Sequence, residues 1–298
     1  MPASKGLIAE VRRFNRLVTE RVGALQDHYL ARDRPLGQAR VLWETGPDGC
    51  DVRTLRSRLG LDSGYLSRLL REIERDGLLV LEANERDRRV RTARLTPAGV
   101  AERRLLDRRS DALARSLLEP LSAAQRERLV HAMGEVERLL TSAMVEVRRV
   151  DPADPAARFC VREYFAELDR RFRTGFDPGA SISADDDELR LPRGLMLVAT
   201  LRDEPIGCGA LKFHGEAPTE LKRMWVAPSA RGLGIGRRIL AELESEAARL
   251  GSRVLHLETN GSLTEAIALY RSSGYAEVDA FNDEPYAHHW FEKRLPRS

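Results

Sequence analysis

The sequence predicts two domains, a mainly helical first half followed by an α/β or α+β second half. Its 298 residues exceed the usual length of a single domain. Amphipathic helical patterns fill the first half, whereas strand-like runs alternate with helical runs after the break DPADP at 151–155. We therefore place the domain boundary after residue 146, which gives domains of residues 1–146 and 147–298.

The composition describes a protein that folds in water, with 42% hydrophobic and 32% charged residues. No apolar run approaches the length of about 18 residues that a membrane span needs, and the N-terminus lacks the apolar segment of a secretory signal. Cys50, Cys160 and Cys208 are far apart and odd in number, which fits neither a disulfide framework nor a zinc site. We expect a cytoplasmic protein without a metal site or a membrane partner.

The first half is predicted to be helical except for one hairpin. Helices are expected at 7–30, 36–45, 51–59, 62–75, 97–118 and 122–146. Two extended runs, 78–83 and 90–95, flank a charge-rich tip, as in a β-hairpin. A short helix–turn–helix followed by a charged hairpin is typical of a winged-helix domain that binds DNA.

The segment 62–71 is the predicted recognition helix. Its polar side chains are candidates for contacts with base edges and phosphates: Ser63, Tyr65, Ser67, Arg68 and Arg71. Arg86, Arg88 and Arg89 crowd the hairpin tip, where arginine pairs with phosphate or enters a minor groove. The alternative is a solvated helix and a salt-bridged loop.

Three short motifs place this half beside a known family. They are DGL at 76–78, DRR at 87–89 and LTPAG at 95–99. Their order resembles the wing of the MarR family of winged-helix regulators, over about residues 5–146. The resemblance implies a homodimer formed by the terminal helices, and double-stranded DNA with a pseudo-palindromic operator as a partner. It also implies that Asp87 supports the wing and that Arg88 contacts DNA.

The second half alternates strands with helices. Strands are expected near 144–150, 195–201, 205–213, 219–227, 253–259, 275–280 and 287–293. Helices are expected near 155–172, 232–250 and 264–273.

The stretch RGLGIGRRIL at 231–240 has glycine at three alternate positions where a helical pattern begins. Free N–H groups at a helix start attract anions, and glycine lets a phosphate approach them closely. The stretch therefore predicts a phosphate site. A dinucleotide motif starting at Gly232 would need glycine where Arg237 stands, and no P-loop motif is present.

Arg231-x-x-Gly234-x-Gly236 is similar to the R/Q-x-x-G-x-G/A loop of the GNAT N-acetyltransferases. ELKRMWVAP at 220–228 resembles the strand that leads into that loop, and ALYRSSGYAEV at 268–278 resembles the family's LY-x-x-x-GF ending. The likeness covers about residues 147–298. It implies a GNAT acyltransferase fold with a mixed, largely antiparallel sheet, acetyl-CoA as cosubstrate, and an amine-bearing small molecule or protein as acetyl acceptor.

The resemblance also assigns roles to individual residues. It implies that two sets of residues bind acetyl-CoA, one at the strand end (Met224, Trp225, Val226) and one at the helix start (Arg231, Gly232, Leu233, Gly234, Ile235, Gly236, Arg237). Tyr270 is the expected proton donor to the thiolate, or else an aromatic of the core. Glu220 is the expected general base, or else an ordinary carboxylate at a strand end. Leu263 replaces an amide that often contacts the cofactor, so either Asn260 substitutes for it or cofactor binding is weaker.

Three functions are compatible with this organisation. The favoured hypothesis is a bifunctional protein, a DNA-binding transcriptional regulator that is also an acetyl-CoA-dependent N-acetyltransferase. In the second, the GNAT domain senses acetyl-CoA or another ligand without catalysis. In the third, the protein is mainly an enzyme and the winged helix only mediates dimerisation.

Overall fold

The computed structural model describes residues 4–23, 30, 34–83, 91–182 and 184–296. The chain divides into two compact units, Met1–His131 and Ala132–Ser298. This division falls inside a long helix, upstream of the boundary expected after residue 146. The first strand of the second unit begins at Val145, two residues before that expected boundary, because its backbone pairs with a strand some fifty residues later (Val145↔Leu201).

The first unit is mainly helical. Its helices are α1 (Lys5–Arg21), α2 (Leu36–Thr45), α3 (Val52–Leu59), α4 (Ser63–Arg75), α5 (Pro97–Leu118) and the start of α6 (Ala123–Ala143). Its strands are β1 (Cys50–Asp51), β2 (Leu79–Ala83) and β3 (Arg91–Leu95), in the antiparallel order β1-β3-β2. The predicted mainly helical domain with a helix–turn–helix and a hairpin is confirmed.

Local signals explain the turn between α3 and α4. The Asp51 carboxylate accepts a hydrogen bond from the Arg53 backbone N–H at 2.7 Å and starts α3. Gly60 ends that helix in the left-handed region (φ 62°), which favours glycine. Asp62 then caps α4 by accepting from the Tyr65 N–H at 2.9 Å. Gly60 and Asp62 therefore determine where the turn begins and ends.

The LTPAG motif has a structural explanation of its own. The Thr96 hydroxyl accepts from the Gly99 N–H at 3.1 Å, which caps α5, and donates to the Gly77 carbonyl at 2.7 Å. A Cβ on Gly99 would lie 1.8 Å from the Leu78 carbonyl oxygen. Only glycine allows this close approach, so the motif ties the start of α5 to the segment that leads into β2.

The second unit is built on a seven-stranded sheet of order β4-β5-β6-β7-β8-β10-β9. The strands are β4 (Val145–Val150), β5 (Gly194–Leu201), β6 (Glu204–His214), β7 (Ala217–Val226), β8 (Val254–Thr259), β9 (Ala276–Val278) and β10 (His289–Arg294). The helices are α7 (Pro155–Arg171), α8 (Ile235–Arg249) and α9 (Thr264–Ser272). Only the β7–β8 pairing is parallel among the described strands, so the predicted mixed, largely antiparallel sheet is confirmed.

The β7–β8 pairing opens the sheet at one end. The two strands pair at Thr219↔Leu255 and Glu220↔His256, near their beginnings, and the described residues beyond show no further pairing. Arg223 adds a bulge in β7, because its φ of 56° is left-handed and the register against β6 shifts there. The carboxyl ends of β7 and β8 therefore leave a gap in the sheet.

Helix α8 starts later than the helix predicted at 232–250. It begins at Ile235, after Gly232 (φ 82°) and Gly234 (φ 76°). A left-handed residue cannot continue a right-handed helix, so these two glycines form the entry to the helix instead of its first turn. Within α8 the apolar stripe Ile235, Ile239 and Leu243 is buried against the sheet, as its spacing predicts.

No helix among the described residues is long and apolar enough to span a membrane.

Candidate functional site

The glycine-rich entry to α8 faces a large groove. The groove has a volume of about 670 Å³ and includes Gly232, Gly234 and Gly236 in its lining. A Cβ on Gly232 or Gly234 would meet no atom within 4 Å, so the space above the bare backbone is open. The N–H groups of the first turn of this 15-residue helix lack helical acceptors, which makes this wall of the groove attractive to anions.

The groove brings together most of the residues that the sequence assigns to the cofactor. Its lining includes Met224, Trp225, Val226, Arg231, Gly232, Gly234, Ile235, Gly236, Arg237 and Tyr270. Leu233 packs instead against the hydrophobic core, and Asn260 lines a second, smaller cavity. The Asn260 amide is occupied there, donating to the Tyr286 carbonyl at 2.7 Å and accepting from the Ser262 N–H at 2.9 Å.

Arg231 is held by a carboxylate that the sequence did not single out. Its Nη2 lies 2.6 Å from Oε2 of Glu167 on α7, and that carboxylate also accepts from Trp225 Nε1 at 3.0 Å. Burial by itself would raise the pKa of Glu167, but the hydrogen bonds and charge of Arg231, with Arg171, hold it below its ordinary value. Glu167 therefore fixes the positions of Arg231 and Trp225 on one side of the groove. No sequence motif around Glu167 predicts this role.

Tyr270 lies on α9 with its side chain in the groove, 5% exposed. Its ring packs edge-on against Tyr275, with centroids 5.8 Å apart, and near Phe291 at 6.0 Å. Within the described residues its hydroxyl has no hydrogen-bond partner. Burial and, second, the charge of Glu258 raise the pKa of Tyr270 above its ordinary value, so the phenol keeps its proton at neutral pH.

Glu220 is not brought together with Tyr270. It lies near the start of β7 and lines neither of the two cavities described here. Its carboxylate forms ion pairs with Lys222 at 2.8 Å and His214 at 3.1 Å. Burial alone would raise the pKa of Glu220, but Lys222 and His214 outweigh it and lower the pKa.

The smaller cavity, of about 80 Å³, shares the walls Tyr164, Leu168 and Leu263 with the groove. Leu263 therefore stands between the two spaces, at the position where the sequence lacks the expected amide. Four aromatic side chains and four charged ones also line this cavity: Phe165, Phe172, Phe176, Tyr286, Lys222, Arg223, Glu258 and Glu284. Sequence inspection missed this set because its members come from α7 and the segment after it, from β7 and β8, and from the segment before β10, which only the fold brings together.

A separate surface lies on α4 in the first unit. Its apolar side chains Leu66, Leu69, Leu70 and Ile73 are buried, at helical spacing. All five residues predicted to contact DNA on this helix are exposed: Ser63, Tyr65, Ser67, Arg68 and Arg71. The Arg68 guanidinium lies 5.4 Å from the centre of the Tyr65 ring. Arg86, Arg88 and Arg89, at the hairpin tip, lie outside the described residues.

Two models of known protein families match the chain, one in each half. The model of the acetyltransferase (GNAT) family matches residues 162–275, and the model of the MarR family matches residues 33–90.

Individual acetyltransferases resemble part of the chain. An IAA acetyltransferase of Azospirillum brasilense is 36% identical over 143 residues, which is 48% of this chain and 90% of that protein. The N-alpha-acetyltransferase RimI of Mycobacterium tuberculosis is 34% identical over 116 residues, 38% of this chain and 71% of that protein. A GNAT acetyltransferase structure from Staphylococcus aureus is 15% identical with a TM-score of 0.44, covering 51% of this chain and 99% of that one. The chain belongs to the GNAT acetyltransferase family and carries a MarR-family segment ahead of its acetyltransferase segment.

Proposed function

We propose that the second unit is an acetyl-CoA-dependent N-acetyltransferase. The observation that supports this most is that the bare backbone before α8 and the Tyr270 side chain line the same groove. The open space above Gly232 and Gly234 fits a phosphate, since a side chain at either position would project into it. When bound, acetyl-CoA supplies the acetyl group as a thioester.

Different residues of the chain are proposed to bind the cofactor and to donate the proton. The first N–H groups of α8 and the Arg237 side chain hold the pyrophosphate. The backbone of Met224, Trp225 and Val226 runs along the groove, where it binds the pantetheine arm and polarises the carbonyl. Tyr270, protonated at neutral pH, donates its proton to the departing sulfur.

Calorimetry and a thiol-release assay test this proposal on the full-length protein. Acetyl-CoA is expected to bind, and thiol release is expected to require an amine from a panel of small molecules and peptides. Failure of acetyl-CoA to bind would exclude the proposal. Binding without any amine-dependent thiol release would favour the alternative of a ligand sensor. The apolar Leu263 between the two spaces supports that alternative, because the expected amide is missing there.

The first unit is proposed to bind double-stranded DNA as a homodimer in the cytoplasm. On α4, the exposed polar face with Arg68 and Arg71 offers hydrogen-bond donors and charge to a major groove. Dimerisation is supported by α1, because an exposed apolar face of this size is typical of a surface that a partner covers. The helix buries none of its residues within this chain and exposes six apolar side chains: Leu7, Ile8, Val11, Phe14, Leu17 and Val18. Helix α6 likewise buries none of its residues.

A mobility shift on the DNA upstream of the gene, together with sedimentation, tests this part. The expected results are a salt-sensitive shift and the mass of a dimer. A monomer at micromolar concentration, or no preference over unrelated DNA, would contradict it. Either result leaves the acetyltransferase proposal unchanged, because these assays report on the first unit, whereas acetyl-CoA binding and thiol release report on the second.

A further inference from the structure

The smaller cavity has an aromatic wall, formed by Phe165, Phe172, Phe176 and Tyr286. The Phe165 and Phe176 rings stack with centroids 5.5 Å apart, and Tyr286 lies 5.0 Å from Phe176 and 5.7 Å from Phe172. Such a wall buries apolar surface of a ligand and aligns a planar ring against its own rings. The cavity is therefore suited to a molecule with an aromatic body.

The four charged groups in the cavity all have partners within the protein. The Glu284 carboxylate accepts hydrogen bonds from the Ile182 N–H at 2.6 Å and the Ser181 hydroxyl at 3.0 Å. Lys222, 8% exposed, forms ion pairs with Glu220 and Glu258. Arg223 donates to the Ala184 carbonyl and lies 3.7 Å from Asp186. Arg223 Nε remains a buried donor without a hydrogen-bond partner among the described residues.

Glu258, on β8, is the carboxylate of the cavity that keeps a buried oxygen without a hydrogen-bond partner among the described residues. Lys222 pairs with one of its oxygens, Oε1, while Oε2 is buried without a hydrogen-bond partner in the described part of the chain. The side chain is 9% exposed and lines the cavity. A buried carboxylate oxygen without a donor is unfavourable because the water it loses is not replaced, so the position calls for an N–H or O–H from a ligand or a bridging water.

Glu258 is also close to the groove in electrostatic terms. Burial comes first among the causes that raise the pKa of Tyr164 and Tyr270, and the charge of Glu258 adds to it at both phenols. Tyr164 lines both spaces. Tyr164 therefore lies between Glu258, on the cavity wall, and Tyr270, on the groove wall.

We propose that this cavity is the acceptor site, that it takes a primary amine on an arylalkyl body, and that Glu258 is the catalytic base. This inference rests on the proposed acetyltransferase function. The nitrogen lone pair of the neutral amine forms the C–N bond at the acetyl carbonyl as the C–S bond breaks. The nitrogen loses one proton to Glu258, and the sulfur gains one from Tyr270. Transfer of the proton from Glu258 to the Tyr270 phenolate, through water, restores both groups and leaves amide and thiol as the products.

Two carboxylates compete for the role of base, and the geometry favours Glu258 over Glu220. Glu220 lines neither cavity, and His214 and Lys222 hold its carboxylate at the start of β7. Oε2 of each carboxylate is buried without a hydrogen-bond partner among the described residues, but of the two only Glu258 lies on the cavity wall. Both carboxylates touch Lys222, so a variant at either one tests the same ion-pair cluster.

The first experiment compares three Glu→Gln variants in the full-length protein, with phenethylamine as the acceptor. Glu258→Gln is expected to lower kcat by about 10²–10⁴-fold, the usual contribution of positioned proton transfer, and to leave acetyl-CoA affinity within about twofold. Glu292→Gln is the matched control on the neighbouring strand β10. This substitution removes the ion pair between Glu292 and His256 and is expected to keep wild-type turnover. Glu220→Gln is the rival and is expected to lose far less kcat than Glu258→Gln.

The second experiment tests the acceptor class. Phenethylamine is expected to have a kcat/KM at least tenfold above that of ethanolamine. Phe176→Ala is expected to raise the KM for phenethylamine about tenfold and to change that for ethanolamine less than twofold. The inference is overturned if Glu258→Gln turns over at the wild-type rate, if Glu220→Gln shows the larger loss, or if ethanolamine is the better acceptor. These results leave the proposed function standing, whereas a wild-type protein that acetylates no amine at all overturns both.

Discussion

Replacing Tyr270 by phenylalanine separates proton donation from packing. The ring would keep its contacts with Tyr275 and Phe291, at 5.8 and 6.0 Å between centroids. The hydroxyl has no hydrogen-bond partner among the described residues, so its removal breaks no bond in the fold. We therefore expect the free energy of unfolding to change by less than about 0.5 kcal/mol.

The same change removes the proton that Tyr270 is proposed to give to the thiolate. Loss of positioned proton transfer lowers rates by about 10²–10⁴-fold, which equals roughly 3–6 kcal/mol in the activation free energy at about 1.4 kcal/mol per tenfold. Turnover is followed by thiol release at saturating acetyl-CoA, and binding by calorimetry. Wild-type turnover in a variant of unchanged stability and affinity would refute the assignment of Tyr270 as the acid.

Three further predictions concern other parts of the chain. Gly99→Ala is expected to destabilise the first unit by more than about 2 kcal/mol in denaturant unfolding, because its Cβ would overlap the Leu78 carbonyl; an unchanged midpoint would contradict this close approach. Arg68→Ala is expected to weaken operator binding by about 1–3 kcal/mol at fixed salt in a mobility shift, with dimer mass unchanged as the control; equal affinity would remove Arg68 from the interface. The lowered pKa of Glu167 means that its ionised form stabilises the fold above its unfolded pKa of about 4.3, and that this stabilisation is lost as the pH falls through the lower folded value. The Tm advantage of wild type over Glu167→Gln should therefore shrink as the pH falls below about 4.3, and an advantage that grows there would be evidence against this ion pair.

Much of the fold could be predicted because its signals are local. The cap at Asp62 and the left-handed Gly60 are visible in the sequence, and they mark the turn of the helix–turn–helix. The apolar stripe of α8 appears as a 3.6-residue period. The sequence predicts the start of α8 three residues too early, because periodicity does not show that Gly232 and Gly234 adopt left-handed backbone angles.

The candidate site could be predicted only where it is continuous in sequence. Gly232 to Arg237 follow one another through the loop before α8 and into its first turn, so one motif covers them all. Leu233 is the member that does not line the groove, because its side chain packs on the core. The partners of that loop are remote: Glu167 reaches Arg231 from α7, 64 residues away along the chain. Glu258 and the aromatic wall meet only through the order of the strands, which no local pattern encodes.

Every proposal for the second unit depends on acetyl-CoA binding in the groove beside α8, and Gly234→Asp is the variant that probes this binding. The aspartate side chain would enter the space that is open above Gly234 and place a negative charge where the pyrophosphate is proposed to bind. Gly251→Asp is a matched control, since Gly251 also has a left-handed φ (93°) and open space above it but lies at the far end of α8. We expect calorimetric binding of acetyl-CoA to wild type and Gly251→Asp, and none to Gly234→Asp. Equal affinity in all three proteins would contradict acetyl-CoA binding at this groove.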